Sequence, residues 1–342
     1  GASKKVCEEK GLGNVYVDYM LKAYEEIKKY NKTPLIWGDV LIKHDDVLDR
    51  IPKDMIFVDW GYDGQYPFDK NLWKLKKANI KFMAAPGTSS WCSFLGRTYD
   101  ALASIYNACI YTHQYGGEGI LLTDWGDFGH LQFWPISLPS LVYAGLLSYR
   151  VESGTYLQLK GYLNKFVFHD KENIIADLLL DLGNYYRYEN NYIGNGTQTF
   201  HTLLWAIYAL KEEDKITYYK EKMKDKVLSL EKYNFINKFF ALKEEELKCA
   251  DISSLVKDEV QYSIDMVKTL LKINISLNDD VEISYRRQLL SEVIASEESL
   301  ITKLRFLWLK RNKISHLENT ITYIQKLIEF TKILSGGLYE EA

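Results

Sequence analysis

Residues 117–134 read GEGILLTDWGDFGHLQFW. The apolar run Ile120-Leu121-Leu122 has the character of a buried strand. It changes at once to Thr123-Asp124-Trp125-Gly126-Asp127, so two carboxylates bracket an indole where a strand should end. Gly126 and Gly129 permit the tight backbone that such an exit needs. An indole with carboxylates beside it suits a sugar ring: the indole covers the C–H face, and the carboxylates accept hydrogen bonds from hydroxyls. A core Trp flanked by two capping Asp residues is the other reading, because Asp is common at helix and turn starts.

The same design recurs upstream. Leu35-Ile36-Trp37, Met55-Ile56-Phe57-Val58 and Ile80-Lys81-Phe82-Met83-Ala84 read as short strands. Apolar spacing predicts helices over residues 14–30, 69–78 and 97–115, a short one at 44–50, and another at 136–150. Strands that are apolar without alternation are buried on both faces, which implies a parallel α/β sheet. Each strand runs into a Trp-bearing polar cluster: Trp37 with Asp39, Asp59-Trp60-Gly61-Tyr62, Ser90-Trp91, and Asp124-Trp125-Gly126-Asp127. In a (β/α) barrel all such ends share the face that carries the active site. No GxGxxG opens a helix, which argues against a dinucleotide-binding sheet.

From about Gly154 the pattern is helical. Segments 214–234, 237–249, 254–273 and 281–310 are predicted helices, as is the face of Leu317, Ile321, Ile324 and Leu327. Phe200, Leu203, Leu204, Ile207 and Tyr208 form another amphipathic face, and runs such as Lys243-Glu244-Glu245-Glu246 are solvated helix faces. The predicted fold is therefore α/β: the C-terminal half of a (β/α)8 TIM barrel in residues 1–152, followed by an all-α helical domain in residues 153–342. The other four strands are expected before Gly1.

Composition narrows the function. The 342 residues are 47% hydrophobic, enough for a sizeable core. A net charge of −3, from 43 basic and 46 acidic residues, gives no case for nucleic acid or an anionic membrane surface as partner. No apolar run reaches the ~18 residues of a membrane helix. Cys7, Cys92, Cys109 and Cys249 form no CxxC pair, which points to a reducing, cytoplasmic compartment. The six histidines lack ligand spacing, so neither a metal site nor a cofactor is expected.

The segment TDWGDFGH at 123–130, with PGTSSW at 86–91, resembles glycoside hydrolase family 20, the exo-β-N-acetylhexosaminidases. The likeness runs from Ser3–Gly11, which is similar to the stretch after the family's catalytic strand, to about Arg150. A looser likeness covers Leu307-Trp308-Leu309-Lys310-Arg311-Asn312. The resemblance implies release of terminal β-linked N-acetylhexosamine from a glycan by substrate-assisted, retaining catalysis, an exception to the usual two-carboxylate scheme. The substrate's acetamido oxygen attacks the anomeric carbon, a Glu protonates the leaving group, and the preceding Asp orients the acetamido group. That Asp-Glu pair is expected upstream of Gly1. The binding half carries over: Trp125 resembles the indole under the sugar, and Asp127 the carboxylate that holds its outer hydroxyls. By strand position Trp37 and Trp60 match the acetamido-pocket aromatics, Tyr62 is placed to donate to the acetamido oxygen, and Trp91 lines the wall. Cys92 departs from the pattern, standing where a polar residue such as Asn is expected.

Two other readings remain. Asp59 or Asp124 could pair with Asp127 as an ordinary acid and base, which needs carboxyl separations of ~5–5.5 or ~6.5–9.5 Å. The chain could instead be a non-catalytic sugar-binding or interaction module. Half a barrel leaves open sheet edges, which a homodimer or the missing half would cover.

Overall fold

The computed structural model describes residues 2–340; Gly1, Glu341 and Ala342, the outer ends of the two expected domains, lie outside them. The chain is predominantly helical α/β with a four-stranded parallel sheet. It divides into two units. One comprises Gly1–Gly87, Asp100–Thr123 and Tyr143–Gly154; the other comprises Thr88–Tyr99, Asp124–Val142 and Thr155–Ala342. The segments that follow the third and fourth strands thus group with the helical part of the chain.

The first unit opens with helices α1 (Ala2–Lys10) and α2 (Leu12–Lys28). Strands β1 (Leu35–Trp37) and β2 (Ile56–Trp60), helix α3 (Phe68–Lys77) and strand β3 (Lys81–Ala85) follow. Helix α4 (Thr98–Tyr115), from residue 100 onward, leads to β4 (Gly119–Ile120). The strands lie in sequential order β1-β2-β3-β4, all parallel. Right-handed crossovers in one direction put every connecting helix on the same face. Ile36, Phe57, Phe82, Ala84 and Ile120 point to that face, into a cluster with Val17 and Met20 of α2, Phe68, Leu72 and Leu75 of α3, and Ala108 of α4.

The second face of the sheet departs from the sequence expectation. Val58 and Ala85 are buried, but Leu35 is 50% exposed, Trp37 39% and Leu121 38%. Strands β1 and β4 are edges, so their outer side chains lack a neighbour on one flank. The fourth strand also ends at Ile120 rather than Leu122, with one further bridge between Gly87 and Thr123. Two glycines are fixed by close approach: a Cβ on Gly38 would meet the Phe57 ring at 2.4 Å, and one on Gly117 the Phe82 ring at 2.5 Å.

The second unit takes the first part of α5 (Trp134–Tyr149). It continues through α6 (Tyr156–Tyr162), α7 (Ile175–Leu182), α8 (Gln198–Ala209), α9 (Lys215–Met223) and α10 (Leu230–Cys249). Helices α11 (Ser254–Ile275), α12 (Ile283–Ala295), α13 (Glu297–Arg311) and α14 (Leu317–Glu340) complete it. Helix α11 is buried on most sides, as a central helix must be, through Val260, Ile264 and Val267 on one face and Tyr262, Met266 and Leu270 on the opposite one. Its buried Glu259 is held by two bonds from Arg311, at 2.7 and 2.8 Å.

Two predicted segments break differently. The charged stretch 214–249 divides at residues 227–229, where Ser229 caps α10 by accepting from the Lys232 N–H. Asn274 pins that break, accepting from the Leu228 N–H and donating to the Lys226 carbonyl, both at 2.9 Å. The stretch 281–310 is two helices parted at Ser296, whose hydroxyl turns back to the Val293 carbonyl at 2.7 Å.

Candidate functional site

The TDWGD segment leaves β4 as a turn of unusual backbone. Asp127–Gly129 is a single 3-10 turn, and Phe128, Gly129 and His130 take φ of 56°, 98° and 52° in succession. Left-handed conformation costs a residue with a Cβ about 1–2 kcal/mol, so Phe128 and His130 must be held there. The restraints are visible. The His130 N–H closes on the Gly126 carbonyl at 3.1 Å, Gln132 Nε2 donates to the Trp125 carbonyl at 2.5 Å, and Thr320 Oγ1 of α14 donates to the Gly129 carbonyl at 2.6 Å. The Phe128 ring lies 6.3 Å from that of Phe200, and the His130 ring meets Trp308 edge-on at 6.5 Å. Burial pushes the His130 pKa down against the opposing charge of Asp124, so the ring is neutral near pH 7.

The two carboxylates of the motif are distinguished by their partners. Asp124 Oδ1 accepts from three hydroxyls: Thr88 at 2.5 Å, Ser90 at 2.8 Å and Ser137 at 3.1 Å. Ser137 Oγ and Thr88 Oγ1 also lie 2.9 and 3.0 Å from Ser90 Oγ, so three hydroxyl protons are shared among five short contacts. Asp124 therefore ties PGTSSW to the start of α5 and braces the turn. Asp127 is exposed, and among the described residues its carboxylate makes no hydrogen bond. Trp125 is 41% exposed. An indole and a carboxylate two residues apart are thus presented to solvent on a clamped turn.

Trp91, expected to line a pocket, is 1% exposed and donates from Nε1 to Asn195 Oδ1 at 2.9 Å. It packs inside the second unit instead of offering a face to a ligand. The Cys92 thiol is 8% exposed, and burial, with the Asp127 charge nearby, pushes its pKa up to about 12. That side chain is a small apolar filler at pH 7.

Trp37, Trp60 and Tyr62 belong to the first unit. Trp37 ends β1; Trp60 ends β2 and stacks on Tyr62 at 5.1 Å with 24° between the rings. Gly61 between them is obligatory, since a Cβ there would meet the Tyr66 ring at 2.0 Å. Asp59 is no candidate for an acid/base partner. It is fully buried on the helix side of the sheet, where Oδ1 accepts from the Tyr66 hydroxyl at 2.7 Å, and burial raises its pKa to about 6.

Sequence reasoning missed Ser137, Gln132 and Thr320, which hold the motif in shape. The hydroxyl-rich PGTSSW and the carboxylate Asp124 were both visible as motifs, but nothing in the sequence marked their bond. Among the described residues no group of three or more His, Cys, Asp or Glu could hold a metal, and no helix is long and apolar enough to cross a membrane. Comparison with known proteins matched the chain to no family model and to no curated protein.

Proposed function

We propose that this chain is the sugar-binding half of an exo-acting β-N-acetylhexosaminidase of the family 20 kind. In this reading the four parallel strands are the C-terminal half of a (β/α)8 barrel, and residues from 153 onward are its helical domain. The observation that carries the reading is the clamped TDWGD turn, which spends backbone strain to present Trp125 and Asp127 to solvent. Two further features support it. The strands run in the sequential order of a barrel, and the second face of the sheet leaves Leu35, Trp37 and Leu121 partly uncovered, as an unclosed barrel would.

Trp125 then stacks under the terminal pyranose, and Asp127 accepts hydrogen bonds from its outer hydroxyls. The stacked Trp60–Tyr62 pair keeps the acetamido role that the resemblance implies. The substrate-assisted reaction also needs an Asp-Glu pair, which this reading assigns to the other half of the barrel. Hydrolysis by this chain alone is then weaker by the ~10²–10⁴-fold that acid–base catalysis contributes. Four unpaired cysteines fit a cytoplasmic location.

The test is titration of the chain with chitobiose, followed by tryptophan fluorescence and saturation-transfer NMR. Binding in the millimolar range (about −4 kcal/mol) that is lost in Trp125→Ala and weakened in Asp127→Asn supports the reading. Unchanged binding in both variants, or none in the parent, refutes it. Release of 4-nitrophenol from its β-N-acetylglucosaminide, measured with and without the preceding segment, separates an enzyme half from a module that only binds.

A further inference from the structure

The turn that presents Trp125 and Asp127 has a second side. Gly126, Phe128, Gly129 and His130 wall a cleft of about 710 Å³, whose other walls are α8 and α14 with Trp308 of α13. A volume of this size is within the range of built ligand sites and holds an oligosaccharide segment rather than a single water. Its walls are aromatic: Phe128, Tyr208 and Tyr323 each contribute a ring. They are also positively charged. Lys211 and Lys326 line the cleft, and among the described residues neither is paired with a carboxylate. Lys211 Nζ instead rests 5.5 Å from the Tyr208 ring centre. The one carboxylate on the wall, Glu318, is neutralised from outside by a two-bond pair with Arg305. The cleft is thus locally cationic on a chain whose net charge is −3.

We propose that this cleft binds an acidic oligosaccharide, its sugar faces against the aromatic rings and its carboxylate or sulfate groups on Lys211 and Lys326. That the ligand is a sugar rests on the function proposed above; that it is anionic rests on the two lysines. The turn couples the two places physically. Phe128, Gly129 and His130, which line the cleft, follow Trp125 and Asp127 directly in the same clamped turn. A Cβ on Gly129 would meet the Tyr323 ring at 2.9 Å, so turn and cleft wall are in direct contact.

The experiment measures binding rather than hydrolysis. The chain is titrated with a hyaluronan tetrasaccharide, which carries carboxylates, a chondroitin sulfate tetrasaccharide, which adds sulfates, and neutral chitotetraose. Calorimetry at two salt concentrations reads each affinity. The proposal expects at least one acidic tetrasaccharide to bind about tenfold tighter than chitotetraose. That preference should vanish in the Lys211→Ala/Lys326→Ala variant and shrink at high salt. The two acidic probes decide between carboxylate and sulfate recognition. Equal affinity for acidic and neutral probes, or a double variant that binds the acidic ones like the parent, overturns it. Trp125→Ala keeps the tests apart. If it leaves chitotetraose binding unchanged while the lysine variant abolishes the acidic preference, the function proposed above fails and the cleft stands.

Discussion

Thr320 Oγ1 donates a 2.6 Å hydrogen bond to the Gly129 carbonyl across 191 residues of sequence. A hydroxyl on the last helix thereby fixes the turn of the motif that reads most clearly as a sugar site. Among the described residues no backbone N–H donates to the Gly129 carbonyl, and the residues on either side of it are left-handed.

Thr320→Val keeps the shape of the side chain and removes the donor. The bond is worth about 1 kcal/mol, so the midpoint of urea denaturation should fall modestly. Chitobiose affinity should fall several-fold although Thr320 touches no proposed ligand, while Thr320→Ser restores both. Loss of stability with unchanged affinity would show that the turn keeps its shape without the bond.

Gly129→Ala tests the strain directly. At φ 98° a Cβ is disfavoured, and here it would also run into the Tyr323 ring at 2.9 Å. The expected loss is roughly 2 kcal/mol or more. Gly145→Ala is the control: it lies within α5 with nothing inside 4 Å of the added Cβ, so it should gain about 0.5–1 kcal/mol. Thermal denaturation of both variants reads the contrast.

Asp124→Ala should destabilise by about 2 kcal/mol. Thr88, Ser90 and Ser137 are no more than 2% exposed, and each loses its charged acceptor. Asp124→Asn should cost less than half of that, because its amide oxygen can still accept. If the two variants prove equally unstable in urea, the network depends on the negative charge itself.

Asp59 makes stability depend on pH. Its folded-state pKa of about 6 lies above the ordinary 3.8, so between those values the folded chain keeps a proton that the unfolded chain has released. The contribution is fully present below pH 3.8 and is lost as pH rises through 6, an effect of at most about 3 kcal/mol. Asp59→Asn should flatten the stability profile across pH 4–7 and raise stability at pH 7. Denaturation curves at pH 4, 5, 6 and 7 check it; an unchanged slope would mean that Asp59 is already ionised at pH 4.

Local periodicity and apolar runs located β1, β2, β3 and the helices between them to within a few residues, because a strand or helix is set by neighbours two to four positions apart. They also marked Thr123–Asp127 as the exit from the sheet, since apolar residues switch there sharply to polar ones, while the choice of Trp125 and Asp127 within it came from the family resemblance. They overextended β4 to Leu122, and the family resemblance placed on a pocket wall an indole, Trp91, that is buried. The first depended on which residues find a partner strand, and the second on Asn195, 104 positions away, which satisfies the indole N–H.

By itself, then, the sequence determined the α/β start, the helical continuation and the composition of the candidate site. The tertiary structure decided which carboxylate is free. Asp124 and Asp127 are equivalent in sequence, yet three hydroxyls from Thr88, Ser90 and Ser137 converge on the first and none on the second. It also decided the cleft, whose aromatic and lysine walls come from α8, α13, α14 and the turn. Side chains more than a hundred positions apart meet only when their helices pack. Packing is set by shape and burial summed over the whole unit, and no local pattern in the sequence encodes it.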